Sequence, residues 1–380
     1  MTSLGNIEAN RLASLTFVDF ETGDILYLTG TAQNYVGDEA LEIMPRQNVL
    51  TAIRIDYFTL IRDAFPLRQR PGTSVGRSPY SPPVKYLKEE KDNETSLDEV
   101  YATLSKVRIH SQDLATFSFE TSVPVKIEPG QAAVLDFTDL FGKQQYAHMA
   151  PGSETRLNDD RIRTWTVSNA RGTSMSNFDL TMRERPGGLV TGALFSMARH
   201  AALRMPEVLE DARPLGLRVH LRGISGSFVL PRDGPTSEKK LLWIAGGIGV
   251  TPYISMLSAI SSMPKPPDYD IAFVLATREP DVLLPLIYNA LSASGQRITA
   301  KVVLHVFSSH SISTPKAIDS ISLIQHKGRL TRAELRSSVS DLEERLPYLC
   351  GPPEFEDSIV KALVSAGVKA SSVIREGYAY

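Results

Sequence analysis

The chain has 380 residues, enough for two or three domains each with its own core. Its 42% apolar and 22% charged residues are ordinary for globular proteins, and 41 basic against 43 acidic side chains leave a net charge of −2, which gives no broad attraction to nucleic acid or anionic lipid. No stretch reaches the ~20 continuous apolar residues of a spanning helix, and the first residues lack a basic and apolar leader, so a cytoplasmic protein with no nucleic-acid partner and no membrane span is expected.

Residues 1–65 read as strands and turns. Leu12-Ala13-Ser14-Leu15-Thr16-Phe17-Val18 and residues 24–32 are β-prone runs, and Thr22-Gly23-Asp24 between them has hairpin chemistry. Residues 66–98, with Arg70-Pro71-Gly72, Ser81-Pro82-Pro83 and Glu89-Glu90-Lys91-Asp92, read as an exposed linker. Residues 99–237 look all-β, with strand-like composition at 101–110, 116–120, 132–137, 163–168 and 178–183 and one apolar helix near 194–204.

Residues 238–380 alternate strand and helix. A buried-strand run at 240–245 meets a glycine loop, after which Thr251 can cap a helix and Pro252 suits its first position. Strands follow at 271–277 and 301–308, separated by a helix at 281–291 with Gly295 beyond it. Thr331-Arg332-Ala333-Glu334 has capping-box spacing and opens a helix to about residue 345. A strand at 348–350, a helix at 354–366 stopped by Gly367, and a last strand at 372–376 complete the pattern. Such alternation predicts a parallel sheet covered on both faces, with ligands at the carboxyl ends of its strands.

Three segments suit the binding of phosphate and flat rings. Ile244-Ala245-Gly246-Gly247-Ile248-Gly249-Val250-Thr251-Pro252 runs from a buried strand through three glycines into a helix. Glycines let backbone amides approach an anion closely, and a helix N-terminus favours negative charge. The spacing is not the Gly-x-Gly-x-x-Gly dinucleotide fingerprint, which points to a different nucleotide-binding family. Arg163-Thr164-Trp165-Thr166-Val167-Ser168 puts a guanidinium and a large aromatic on one face of a strand and the Thr166 hydroxyl on the other. Arg163 can hold a phosphate while Trp165 packs on a ring; alternatively Trp165 is core and Arg163 a surface charge. Gly187-Gly188-Leu189-Val190-Thr191-Gly192, ahead of the 194–204 helix, is a second phosphate cradle, although such glycine turns are common.

Together and in this order, these motifs resemble the ferredoxin–NADP reductase superfamily over residues 101–380. Arg163-Thr164-Trp165-Thr166 is similar to its Arg-x-Tyr-Ser flavin motif, with Trp for Tyr and Thr for Ser. Gly187-Gly188-Leu189-Val190-Thr191 looks like its flavin-diphosphate loop, and Gly246-Gly247-Ile248-Gly249-Val250-Thr251-Pro252 like its nicotinamide-nucleotide loop. Leu349-Cys350-Gly351-Pro352-Pro353 looks like its Cys-Gly-Pro segment, and Glu376-Gly377-Tyr378 like the terminal segment that brings an aromatic to the flavin.

The resemblance implies a β-barrel flavin domain followed by an α/β Rossmann-like nicotinamide-nucleotide domain. It implies FAD as cofactor and NADPH or NADH as co-substrate, with hydride passing from nicotinamide C4 to flavin N5 in the cleft between the domains. Arg163 and the amides of Gly187, Gly188, Leu189, Val190 and Thr191 would bind the flavin pyrophosphate, and Trp165 would pack along the flavin. Gly246, Gly247, Gly249, Thr251 and Pro252 would hold the nicotinamide cofactor's pyrophosphate, with Cys350 and Gly351 against its ring. Thr166, Cys350 and Tyr378 would surround the path of the hydride. Arg278, after the 271–277 strand, stands where an NADP 2′-phosphate is gripped, which tilts the choice toward NADPH.

A second resemblance concerns the N-terminus. Ser3-Leu4-Gly5-Asn6-Ile7-Glu8, Asn10-Arg11-Leu12-Ala13-Ser14-Leu15 and residues 22–30 are similar to the second half of the split-barrel domain of pyridoxamine 5′-phosphate oxidases, which precedes such reductase modules in fungal fusions. An FMN site takes both halves or a partner subunit, so residues 1–65 are expected to be a structural partial split barrel without FMN. Cys350 is the single cysteine, whereas an iron–sulfur cluster takes about four thiolates, so the ferredoxin domain of many relatives is not expected. His110, His148, His200, His220, His305, His310 and His326 show no metal-ligand spacing, and no metal is expected. Electrons would leave FAD for a small-molecule acceptor, on the fungal analogy one of secondary metabolism. Two readings stay open: an electron-transfer reductase serving a separate haem or iron–sulfur partner protein, and a non-catalytic flavin-binding protein.

Overall fold

The computed structural model describes residues 2–44, 49–69, 87, 100–141, 161–231, 239–263, 268–292, 300–310 and 321–376. The chain divides into two compact units, Met1–Asp98 and Glu99–Tyr380.

In the first unit β1 (Leu12–Val18), β2 (Ile25–Val36) and β3 (Val49–Ile61) form an antiparallel sheet in that order. Gly23, at φ 77°, turns the hairpin so that Val18 faces Ile25. A reading of strands and turns misses two helices here, Thr2–Asn10 and Asp38–Ile43. The first contains Gly5, Asn6 and Asn10 and has little propensity of its own. Tertiary contact holds it: Asn34 Nδ2 donates to Leu4 O at 2.9 Å and to Glu8 Oε1 at 3.0 Å. The linker read at 66–98 lies almost wholly outside the described residues.

The second unit opens with β4 (Tyr101–Ile109), β5 (Leu114–Lys126), β6 (Ala132–Asp136), β7 (Ile162–Thr166), β8 (Ser174–Arg183) and β9 (Arg218–Ser225), an antiparallel sheet ordered β7-β6-β9-β4-β5-β8. Val167 bridges to Leu180, joining the two ends of that order into a barrel. Phe117, Phe119, Phe178 and Leu180 fill it. Helix Leu189–Arg204 adds Leu194, Phe195 and Ala198 to the same core. It starts at Leu189 rather than near Leu194, because Gly188 is the extended residue at its head, so Leu189, Val190 and Thr191 are its first turn. The strand β9, unread in the sequence, sits centrally between β6 and β4.

Next come β10 (Lys239–Gly246), β11 (Tyr269–Ala276), β12 (Lys301–Ser308), β13 (Ile321–Lys327), β14 (Leu346–Cys350) and β15 (Ile374–Arg375), all parallel and ordered β13-β12-β11-β10-β14-β15. Alternation along β10 sends Leu241, Trp243 and Ala245 to a layer with Tyr253, Leu257 and Ile287, and Leu242 and Ile244 to one with Leu335, Ile359 and Leu363. The strand order reverses beside β10, with β11 on one flank and β14 on the other, and the crevice at their carboxyl ends is where such sheets bind ligands.

Three local details differ from the sequence reading. Thr251 is itself helical, at φ −58° and ψ −42°, and its hydroxyl donates to Ile248 O at 3.2 Å instead of capping; a 3₁₀ turn over Gly247–Val250 precedes it. Thr331 and Glu334 do form both halves of a capping box, but the helix ends at Ser338, where Val339 turns extended and is buried beside Leu342. The final strand shrinks to β15, preceded by a 3₁₀ turn over Ala370–Ser372.

Barrel and parallel sheet share packing. Phe228 lies edge-on to Tyr253 and Tyr348, with ring centroids 5.7 and 5.1 Å away. Burying such a ring stabilises by about 1.5–3 kcal/mol. Tyr348 Oη donates to Val229 O at 3.0 Å, and Arg183 pairs with Asp113 on the barrel and Glu279 after β11.

Candidate functional site

Strand β7 is hydrogen-bonded to β6 along one edge, with Trp165 opposite Ala133 and Arg163 opposite Leu135. Those partners face the barrel core, and Trp165 packs there, edge-on to Phe137 at 5.8 Å and 87°. Arg163 is half-buried and donates from Nη1 to Ile162 O at 2.8 Å. Thr164 and Thr166 face the other way. Thr164 Oγ1 is buried and has no hydrogen-bond partner among the described residues.

No side chain caps Leu189–Arg204 at Gly188 or Thr251–Ser262 at Val250. The first amides of a helix have no acceptor within it, so the Leu189 end presents N–H donors and the positive end of a dipole; at the other, Thr251 N–H donates to Ile248 O and Pro252 has no N–H, which leaves any donors to the turn before it. Gly187 at φ 72° and Gly247 at φ 54° take left-handed conformations ahead of these helices, and a side chain at either would meet nothing within 4 Å. Gly249 is crowded instead: a Cβ there would fall 2.4 Å from Cys350 O and 2.9 Å from Gly351 Cα. The Gly246–Thr251 turn therefore lies directly against the Cys350–Gly351 turn. Beneath them, Tyr253 Oη is shared between Ile244 O at 3.0 Å and Tyr348 O at 2.9 Å, tying β10 to β14. Burial, and after it the neighbouring Cys350, pushes that phenol well above its ordinary pKa, so it remains a neutral donor.

A contact across the two domains completes the site. Thr166 Oγ1 on β7 donates to Glu376 Oε1 at 3.2 Å, and Cys350 Sγ at the end of β14 lies 4.0 Å from Glu376 Oε2. Thr166 and Cys350 are buried. The structure thus gathers Thr166 and Cys350 on one carboxylate and places Gly246, Gly247, Gly249, Thr251, Pro252 and Gly351 beside them. Trp165 and Arg163 leave β7 on the opposite face. Arg278 is exposed just past β11, at the carboxyl edge of the parallel sheet. Tyr378 lies outside the described residues. The Glu376 carboxylate is a member of the candidate site not singled out from the sequence; its signal was an acid in the same terminal segment, but 210 residues separate it from Thr166.

Residues 238–374 match the family described as the ferric reductase NAD binding domain. The chain is 24% identical over 275 residues to the glycine betaine monooxygenase reductase subunit of Pseudomonas aeruginosa, covering 72% of this chain and 62% of that one. These matches support a place for the chain in the ferredoxin–NADP reductase superfamily. It is also 30% identical over 180 residues to the nitrate reductase (NADPH) of Mycosarcoma maydis, 40% of this chain and 18% of that protein. The solved flavohem-like FAD/NAD binding domain of nitric oxide dioxygenase from Vibrio cholerae aligns at 16% identity and a TM-score of 0.48, over 74% of this chain and 99% of that one. The chain spans less than two thirds of the length of the two curated relatives.

FAD and NAD(P)H are the cofactors of this superfamily, and the residues present fit them. The uncapped start of Leu189–Arg204 and the glycine turn ahead of Thr251–Ser262 suit two pyrophosphates, one on each domain. The left-handed glycines leave room for an anion to approach backbone, and the Thr164 hydroxyl, without a partner among the described residues, is a polar group suited to a ligand.

Proposed function

We propose that this chain is an oxidoreductase that takes hydride from NADPH or NADH onto FAD and passes the electrons to a small-molecule acceptor. The observation that carries the reading is the Thr166–Glu376–Cys350 contact, which joins the flavin-motif strand of the barrel to the crevice at the switch point of the parallel sheet. FAD, when bound, supplies the two-electron carrier between nicotinamide and acceptor. Arg163 and the amides at Gly187, Leu189, Val190 and Thr191 would hold its pyrophosphate, the Gly188 N–H being already given to Arg185 O at 2.9 Å, and the part of the half-buried Trp165 not packed on the barrel core would lie along it. Amides at the head of the Gly247–Val250 turn would hold the nicotinamide cofactor's pyrophosphate, the Thr251 N–H being already given to Ile248 O, while Cys350 and Gly351 would flank its ring. The buried Thr166 and Cys350 exclude water from the space between. Glu376 accepts a hydrogen bond from the Thr166 hydroxyl and fixes that oxygen in place, and a carboxylate there can hold a proton or relay one through Thr166 Oγ1.

The acceptor reading is supported by the single cysteine, which leaves this chain no cluster to relay electrons through. A second reading, delivery to a separate redox protein, is favoured by the Pseudomonas aeruginosa relative, which by name is a reductase subunit. The test is anaerobic: record the visible spectrum of the purified protein, then add NADPH and NADH in turn. Bleaching of a flavin band is expected, and a protein that takes up no FAD ends the reading. Ferricyanide and a quinone, compared with a cytochrome, then separate the two acceptor classes.

A further inference from the structure

The two turns at the crevice are joined by side chains from the next helix, Pro353–Ser365. Gly246 and Gly351 have no side chains, and one aromatic ring occupies the space both would need. A Cβ on Gly246 would fall 2.7 Å from Phe355 Cδ1, and one on Gly351 would fall 2.6 Å from the same atom. The two turns are themselves close, since the Gly351 Cβ would lie 3.2 Å from Gly246 Cα. Phe355 is packed on the layer that contains Leu242, Ile244 and Ile359. The next residue, Glu356, is buried, and its Oε1 accepts the Gly351 N–H at 3.2 Å. A carboxylate in the first turn of a helix also lies favourably in the helix dipole. The ring thus sets the gap between the turns, and the carboxylate anchors one of them.

We infer that Phe355 and Glu356 are positioning residues for hydride transfer: together they set the Gly246–Thr251 turn, assigned to the pyrophosphate, against the Cys350–Gly351 turn, assigned to the nicotinamide ring. This rests on the function proposed above. The spacing of the turns decides where the nicotinamide lies once its pyrophosphate is held, so loosening the brace displaces the reacting carbon while leaving most of the binding energy intact. Neither residue touches the reacting atoms. They act through Gly246, Gly351 and Cys350.

The test uses the flavin-loaded full chain and anaerobic stopped-flow reduction over a range of NADPH and NADH concentrations. Phe355→Ala and Glu356→Ala should lower the limiting rate of flavin bleaching about tenfold or more, because misplacements near 1 Å are costly to the reacting geometry. The apparent dissociation constant of the nucleotide should stay within roughly threefold, since phosphate contacts are retained. Glu356→Gln keeps an oxygen for the Gly351 N–H and should recover most of the lost rate. Phe355→Leu keeps the apolar layer filled, so it remains informative if Phe355→Ala does not fold, and it too should be slower than wild type. Unchanged limiting rates in the folded variants, even with lowered thermal stability, would overturn the inference. So would a Glu356→Gln variant as slow as Glu356→Ala. Amide hydrogen exchange is read on the same proteins: protection around Gly351 should fall in Glu356→Ala and return in Glu356→Gln. If wild-type flavin is not bleached, the functional reading fails, and the exchange data alone decide whether the brace exists.

Discussion

Gly249→Ala tests the close approach of the two turns. The added Cβ would sit 2.4 Å from Cys350 O, 2.6 Å from Cys350 C and 2.9 Å from Gly351 Cα, whereas ordinary contact begins near 3.4 Å. All three neighbours are backbone, so no side chain can swing aside. Relief requires the turns to part by roughly 1 Å, an overpacking that costs about 1–3 kcal/mol. At about 2–4 °C per kcal/mol for a unit of this size, that predicts a fall of several degrees in Tm. The same displacement separates the turn proposed for the pyrophosphate from the turn proposed for the nicotinamide, and a 1 Å error there would cost about 10²-fold in the reacting step. The assays are thermal unfolding followed by flavin fluorescence, and anaerobic stopped-flow bleaching with saturating nucleotide. A Gly249→Ala protein with wild-type Tm and wild-type bleaching rate would refute the reasoning, because both effects follow from the same contact.

Further outcomes follow from other parts of the structure. Glu376→Gln should retain FAD yet slow flavin reduction or reoxidation by about 10²-fold, as expected for a positioned proton-handling carboxylate; transient kinetics of the two half-reactions will show which. Arg278→Ala should raise KM for NADPH about tenfold and leave NADH little changed, if its exposed guanidinium meets a 2′-phosphate; steady-state kinetics with both nucleotides decide it. Arg345, buried at the amino end of the parallel sheet, pairs with Asp270 at 3.1 Å and Asp341 at 2.7 Å, and Arg345→Ala should cost about 3 kcal/mol in denaturant unfolding. Burial raises the Asp270 carboxyl, but hydrogen bonds from Arg345 and Lys301 outweigh it and hold the pKa below the ordinary value; the Arg345 hydrogen bond is the main cause that lowers Asp341. Lowered folded pKa values mean that this stabilisation is complete above the unfolded carboxyl pKa of about 4 and is lost as pH falls through the folded values. The Arg345→Ala penalty should therefore shrink in acid.

The strand–glycine–helix elements proposed to bind phosphate were legible because their chemistry is local. A buried strand, glycines that need left-handed φ and a helix that follows are all set by neighbours in the chain, so Lys239–Gly246, Gly247 and Thr251–Ser262 emerge from composition. The capping box at Thr331 and Glu334 is legible for the same reason. Details that depended on distant partners were not. Thr251 resembles a cap by residue type, yet the 3₁₀ turn before it draws it into the helix. The helix after Thr331 stops at Ser338 because Val339 and Leu342 are taken into a core built by other elements. Helix Thr2–Asn10 forms where Asn34 can reach it.

By itself the amino-acid sequence determined the alternation of elements, the glycine turns and the resemblance that names flavin and nicotinamide. Its single cysteine likewise rules out a cluster built from this chain's own thiolates. Only the tertiary structure decided that Glu376 stands between Thr166 and Cys350, that Gly249 lies on Cys350, and that Phe355 fills the space of two absent side chains. The physical reason is range. Dihedral preference and helix capping act over a few residues, whereas close packing and hydrogen bonding join residues far apart in sequence, and their partners exist only once both domains have folded.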